Sequence, residues 1–426
     1  PYTILFEHTV SGLIEHSMPL VREWIRNGHC ALIMAPESEL AKVRSAYKDL
    51  PFPEQADFQS FGRDPIKWRD LHAMINVTLS ESGPAFRDPH TRFDIPRVAL
   101  NHGLTDKLTT FPAAFLGNGV GYNNVLFACG PAMFKGSWET YVQKWPEILS
   151  SLKIVPIGSP KTDALFDGTF KRQTVLESLG LDPRLPTVLY APTYQREASL
   201  EQAGEAIIAA LASLEINLFV RPHHLSTTPR NTHADGNRKN WRAILQALAK
   251  EHPNLRFVEG DSNPYFVAAD LLVGDASGAC YEYILQDKPV VFYDVPAFFE
   301  AHGRCGVGFW GRDAGTIAAD PENLRAAVLA ELASPGRKAD ARHKLISQLV
   351  YKTGNACQRA MTALVDLIEG RIEYPIWGPR QNVRQDTLLH AYMLERLERC
   401  ALETKAIALF GAGAHTPLLL NIMNAA

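Results

Sequence analysis

The segment that most constrains this chain is Leu271-Leu272-Val273-Gly274-Asp275-Ala276-Ser277-Gly278-Ala279-Cys280-Tyr281-Glu282-Tyr283, followed almost at once by Lys288-Pro289-Val290-Val291-Phe292-Tyr293. An apolar run enters a turn of small residues, a helix-like segment leaves it, and a second apolar run follows. The order is strand, turn, helix, strand. In such a unit the turn sits at the carboxyl end of a parallel strand. The helix then directs its free N–H groups and the positive end of its dipole into the crevice. Ser277 and Gly278 would form a phosphate cradle there, with Asp275 beside them. Glu282, about one turn further on, is placed to accept hydrogen bonds from the two hydroxyls of a ribose. The same residues also suit an ordinary turn in which Ser277 caps a helix.

Short apolar strands alternate with helical periodicity on either side of this unit. Residues 3–6 read as a strand, and Ile14, Met18, Val21 and Ile25 recur at helical spacing up to a stop at Gly28. Strand 30–34, helix 37–47, a Pro- and Phe-rich loop over 51–61, and strands 75–79, 97–100, 125–128 and 154–157 follow. A second series begins with strand 187–190 and continues with helix 203–214, strand 217–220, helix 241–249 and strand 255–258. Between the two lies a connector, 161–185, marked by Asp182-Pro183 and Leu185-Pro186.

The alternation predicts an α/β chain with mostly parallel sheets, and no hairpin signal interrupts it. We expect two Rossmann-like doubly wound domains facing across a cleft, residues 1–165 and 166–335. Helices over 336–372 would pack back on the domain junction. Tyr374-Pro375-Ile376-Trp377-Gly378-Pro379 reads as a linker. Residues 373–426 would hold this linker, a helix with an apolar stripe at Leu389, Tyr392, Met393, Leu397 and Cys400, and, at Ala406–Thr416, the first strand and turn of a further nucleotide-binding domain. Pro1 in place of an initiating Met fits a chain cut from a longer protein, and processing of the amino end explains it equally.

With 426 residues, 46% hydrophobic and 21% charged, the chain can bury two cores, and its composition excludes disordered and fibrous classes. No apolar run approaches the ~20 residues that cross a bilayer, and no signal peptide is legible at the amino end. A cytoplasmic protein is expected. The six cysteines are scattered without metal or disulfide spacing, and no protein-bound metal or cofactor is expected. A net charge of −3 provides no field that would attract nucleic acid.

Ligands in this architecture bind just beyond the strand ends, which here carry polar residues. Asn101-His102-Gly103-Leu104-Thr105-Asp106-Lys107 follows one strand, Ala191-Pro192-Thr193-Tyr194 another, and Arg221-Pro222-His223-His224 a third. Each alone suits a plain loop. Converging on one crevice with Asp275, Ser277 and Glu282, they suit a phosphate-rich ligand. His8, after the first strand, and His224 are further candidates.

His102-Gly103 with Lys107 resembles the His-Gly-x-x-x-Lys segment of the CDP-glycerol glycerophosphotransferase family, the teichoic acid and capsule polymerases of GT-B fold. Gly158-Ser159-Pro160-Lys161-Thr162-Asp163 is similar to its Gly-x-Pro-Arg-x-Asp, and Tyr190-Ala191-Pro192-Thr193 to its Tyr-Ala-Pro-Thr. Arg221-Pro222-His223 resembles Arg-x-His, and Asp275-Ala276-Ser277 with Lys288-Pro289 resembles the Asp-x-Ser-Ser signature and its downstream strand. Order and spacing agree over about residues 95–370. Two departures are Gly278, where the family carries a second Ser, and Leu104-Thr105-Asp106 in place of Thr-Pro-Leu.

The resemblance implies transfer of glycerol or ribitol phosphate from a CDP-activated donor to a hydroxyl of a cell-surface polymer or its lipid-linked primer, with release of CMP. It implies His102 as the base, and His223, Arg221 and Lys107 around the pyrophosphate. Ser277 and Gly278 would lie at the leaving phosphate, with contacts from Thr193, Asp275 and Glu282 and outlying candidates in Gly158 and Ser159. A lipid-linked or polymer acceptor would bring the enzyme to the inner face of the membrane. A GT-B glycosyltransferase or epimerase using a sugar nucleotide, or a non-catalytic GT-B scaffold, would carry the same crevice.

Overall fold

The computed structural model describes residues 1–8, 14–61, 65–76, 92, 94–100, 104, 123–134, 152–228, 239–302 and 310–376. Its first sheet holds seven parallel strands: β1 (Thr3–Glu7), β2 (Cys30–Ala35), β3 (Ala56–Ser60), β4 (Ala73–Asn76), β5 (Arg97–Leu100), β6 (Val125–Ala128) and β7 (Lys153–Pro156). Their spatial order is β3-β2-β1-β4-β5-β6-β7. The chain winds outward from β1 in one direction, then returns to β4 and winds in the other. This reversal opens a crevice at the carboxyl ends of β1 and β4.

Helices α1 (Ile14–Arg26) and α2 (Glu37–Ala46) follow β1 and β2. The spacing of Leu20, Val21, Trp24 and Ile25 turns one face of α1 into the core with Ile4, Phe6, Ile33 and Ile75 of the strands.

After α3 (Arg172–Ser178) the second domain repeats the scheme. It comprises β8 (Thr187–Tyr190), α4 (Ser199–Ala212), β9 (Asn217–Val220), α5 (His224–Thr227), α6 (Trp241–Glu251), β10 (Leu255–Phe257), α7 (Asn263–Ala268), β11 (Leu271–Gly274), α8 (Gly278–Ile284), β12 (Val290–Tyr293), α9 (Pro296–His302) and β13 (Thr316–Ala318). All pairings are parallel, in the order β10-β9-β8-β11-β12-β13. The winding reverses between β8 and β11, so the organising turn after β11 lies at the crevice.

The chain closes with α10 (Pro321–Ala333), α11 (Ala339–Leu349) and α12 (Ala356–Ile368). Helix α11 buries Leu345 and Leu349 against the second domain. Helix α12 returns to the first, where Ala360, Met361, Leu364 and Leu367 join the core of α1 and the sheet. The described helices thus pass once from the second domain to the first.

Some elements differ from their sequence-based reading. The loop expected over 51–61 contains β3, an edge strand bonded to β2 and half exposed, so its sequence Ala-Asp-Phe-Gln-Ser carries no apolar run. The strand expected over 75–79 is Ala73–Asn76, and 77–79 lie outside the described residues. Strand β13, three residues with Ile317 exposed, was too short to register as a period. Residues 377–426, with the expected helix and further domain start, lie outside the described residues.

Candidate active site

Asp275 directly follows β11, a central strand of the second domain, and burial obliges its carboxylate to find donors. Three converge on it from the neighbouring β8 side. Thr193 N–H donates to Oδ1 at 3.0 Å, and Ser199 donates to Oδ2 through its N–H at 3.1 Å and its hydroxyl at 2.6 Å. The Tyr190 hydroxyl completes the group, 2.8 Å from Ser199 Oγ. Asp275 therefore fastens the loop after β8 and the start of α4 to the turn after β11. Thr193 has its own hydroxyl bonded to Gln195 Oε1 at 2.8 Å.

Ser277 is the N-cap of α8, and its Oγ accepts the Ala279 N–H at 3.3 Å. At Gly278 a Cβ would stand 3.2 Å from the Leu104 carbonyl oxygen. The absence of a side chain lets the Leu104 backbone lie against this turn, a physical reason for glycine at this position. Buried Leu104 belongs to the second domain's core cluster. His102 and Lys107 lie outside the described residues.

One turn into α8, the buried Glu282 meets Lys161. The Lys161 Nζ is 2.9 Å from Oε2 and 3.1 Å from Oε1 of Glu282, and 3.3 Å from Oε1 of Glu15 on α1. Burial raises Glu282 above the ordinary carboxylate range; Lys161 opposes the rise, Glu15 adds to it and Arg221 opposes it. Burial alone would lower Lys161, but the two carboxylates more than offset it and hold the ammonium above its ordinary value. Asp261, after β10, is raised by burial as well, and interacts with Glu15, Lys161 and Arg221. Arg221 leaves β9 with Nη2 bonded to the Gly260 carbonyl. The crevice floor therefore carries two cations and three carboxylates drawn from both domains.

His223 follows Arg221 and caps α5, its Nδ1 accepting the Leu225 N–H at 3.3 Å. A neutral His223 so bonded carries its proton on Nε2. Its ring packs 4.8 Å from Tyr194 and 4.3 Å from His224, centroid to centroid. Thr193 is thus bonded to Asp275, Arg221 interacts with Glu282, and His223 packs between Tyr194 and the exposed His224.

The outlying candidates face elsewhere. His8 is buried with Nε2 3.1 Å from the Tyr47 hydroxyl, and its Nδ1 has no hydrogen-bond partner among the described residues. Burial lowers its pKa to about 4, so the ring is neutral near pH 7. Gly158 adopts φ +87, and a Cβ there would stand 2.8 Å from the Lys352 carbonyl oxygen. Ser159 offers its carbonyl to the Thr162 N–H and hydroxyl. Asp163, from the same motif, accepts the Ala356 and Cys357 N–H groups at 2.8 and 2.7 Å, capping α12.

Three residues of the crevice, Lys161, Glu15 and Asp261, carried no separate site assignment in the sequence. Lys161 was legible as part of Gly158–Asp163, at the position of the family's arginine, but not as the partner of Glu282. Glu15 gave no signal beyond an acid in a helix's first turn. The Lys-Pro pair also gains a role: Lys288, lowered by burial to about 8, donates to the carbonyls of Phe266, Val267 and Ala269 at the end of α7. At the other end of α7, Asn263 donates to the Lys161 carbonyl at 2.9 Å. Among the described residues no group of three or more His, Cys, Asp or Glu could hold a metal ion.

Residues 147–359, half of the chain, match the family described as CDP-glycerol:poly(glycerophosphate) glycerophosphotransferase. The chain belongs to this family. It is an enzyme of the glycerophosphotransferase type, and the matched residues contain Lys161, Thr193, Arg221, His223, Asp275, Ser277 and Glu282.

No curated protein sequence matches the chain. Among solved structures, the wall teichoic acid polymerase TagF aligns with TM-score 0.57 and 14% identity over 87% of this chain and 90% of that one. A TagF variant soaked with CDPG aligns with TM-score 0.55 and 14% identity over 88% and 90%. The UDP-GlcNAc 2-epimerase of Neisseria meningitidis, bound to UDP-GlcNAc, aligns with TM-score 0.52 and 14% identity over 85% and 100%. At these identities the likeness establishes the GT-B-type fold. No helix among the described residues is long and apolar enough to cross a membrane.

Proposed function

We propose that this glycerophosphotransferase-type enzyme moves a polyol phosphate, glycerol or ribitol phosphate, from a CDP-activated donor to a hydroxyl of a growing polymer or its primer, releasing CMP. The observation that carries the reading is the second-domain crevice: the N-terminus of α8 at Ser277, the Glu282 carboxylate one turn along it, and Arg221 with His223 at the adjoining strand end. A nucleoside diphosphate has this sequence of features: a ribose diol for the carboxylate and phosphates for the cations and backbone N–H groups.

Phosphoryl transfer of this kind depends on positioning and charge neutralisation more than on covalent chemistry. In the reading, His102 takes the proton of the attacking hydroxyl. Arg221, Lys107 and the Nε2–H of His223 stabilise charge on the pyrophosphate oxygens as CMP leaves. Asp275 holds the crevice loops in place, and Thr193 lines them.

Calorimetry with CDP, CMP, UDP and GDP tests the donor, with Glu282→Ala as control. CDP binding that depends on Glu282, and donor turnover lost in His102→Ala and His223→Ala with the fold intact, are the expected results. Preference for UDP or GDP would replace the reading with a sugar-nucleotide enzyme, and no nucleotide binding would leave a scaffold.

A further inference from the structure

Lys161 is anchored on the first domain's side of the crevice yet serves a carboxylate of the second. It stands on the turn Pro160–Leu165, immediately after β7. That turn is held from two sides: Asp163 accepts two N–H groups of α12, and Asn263 of α7 donates to the Lys161 carbonyl. The ammonium is therefore delivered by a fixed backbone, and it spans Glu282 of α8 and Glu15 of α1. Charges this deep in a protein persist only when paired, and removing one partner leaves the other uncompensated. An ionised carboxylate offers about four acceptor sites, and Lys161 takes one on each oxygen of Glu282. The remaining sites match in number the two hydroxyls of a ribose.

We propose that Lys161 is a positioning residue for the donor nucleotide, holding Glu282 ionised and oriented toward a ribose diol and, through Glu15, tying that subsite to the first domain. The inference rests on the reading of Glu282 as the ribose contact. Facing Glu282 are Lys161 from the turn, Glu15 from α1 and Arg221 after β9, while Asp261 after β10 faces Lys161 and Arg221. With Lys161 replaced by Met, burial and Glu15 both favour the protonated acid, opposed by Arg221 alone among these groups. A protonated Glu282 loses acceptor capacity for the diol.

The test is calorimetric titration of the full chain with CDP and with 2′,3′-dideoxy-CDP over a range of pH. For the wild type, CDP binds more tightly than the dideoxy nucleotide. Lys161→Met weakens CDP binding by about tenfold or more near neutrality, equivalent to one charge-assisted hydrogen bond. The loss deepens as the pH falls, while dideoxy-CDP binding is unchanged. Lys161→Arg, which restores the family's residue, recovers CDP binding. Glu15→Gln, on a partly exposed side chain and so mild for folding, acts in the opposite sense: removing a carboxylate that raises Glu282 extends CDP binding to lower pH.

Equal weakening of both nucleotides by Lys161→Met would mark a structural role and overturn the proposal. So would a Glu15→Gln profile superimposable on that of the wild type. If wild-type protein binds CDP and dideoxy-CDP equally, or Glu282→Gln leaves CDP binding intact, the ribose assignment of Glu282 falls first and this inference with it.

Discussion

Asp275 provides a sharp separation of architecture from chemistry, because the donors on its carboxylate are backbone and side-chain groups of the protein itself. Asp275→Ala leaves the N–H groups of Thr193 and Ser199 without their acceptor in a buried turn, while the Ser199 hydroxyl can rotate to another partner. Each orphaned buried donor costs about 1–3 kcal/mol, so the two together should destabilise the second domain by about 4 kcal/mol. Asp275→Asn keeps one oxygen for one N–H and turns an amide toward the other, at a cost of about 2 kcal/mol. Against a typical total of about 5–15 kcal/mol, both losses are measurable and neither need abolish folding.

Urea unfolding followed by circular dichroism reads the midpoint at constant slope for the wild type and both variants. The expected order of stability is wild type, Asn, Ala. CDP affinity, measured well below the unfolding transition, should fall less than it does in Glu282→Ala. An Asp275→Ala variant as stable as the wild type that nonetheless fails to bind nucleotide would refute the reasoning. The carboxylate would then belong to the ligand and not to the loop.

Two further predictions concern residues outside the crevice. Burial lowers His8 from 6.5 to about 4, so the unfolded chain takes up a proton that the native state refuses; stability is full above 6.5 and declines as the pH falls toward 4. The decline attributable to this ring is up to about 3 kcal/mol, and His8→Leu should flatten the acid limb of the urea midpoint against pH; an unchanged limb would disprove it. Gly158→Ala places a Cβ 2.8 Å from the Lys352 carbonyl oxygen and 2.9 Å from Arg359 Nη2 at φ +87. The combined strain should cost about 3 kcal/mol, visible as a lowered melting temperature, and a melting temperature equal to that of the wild type would contradict it.

Much of the framework was legible because it is written in local patterns. Runs such as Leu271-Leu272-Val273 and Val290-Val291-Phe292-Tyr293 have nowhere stable to go but a covered parallel sheet, and the stop at Gly28 and the cap at Ser277 are local chemistry. The edge strand β3 escaped notice for the converse reason, since a strand bonded on one side can remain polar. Ordered motifs at strand ends likewise pointed to the carboxyl ends of the strands, and among the described residues Thr193 and Arg221 directly follow β8 and β9 there.

What the sequence by itself determined is therefore the α/β class, the two series of strands and helices, the strand ends that carry polar chemistry, and a family resemblance whose membership the match over 147–359 established. Only the tertiary structure decided how those polar groups are spent. Lys161 and Glu282 are 121 positions apart, Asp275 and Thr193 are 82, and Asp163 caps a helix 193 residues away. Periodicity reports which face of an element is buried, because that depends on neighbours three or four residues distant. The partner of a buried charge depends on which distant segments the closed fold brings within about 3 Å, and desolvation then compels a pairing that no local pattern encodes.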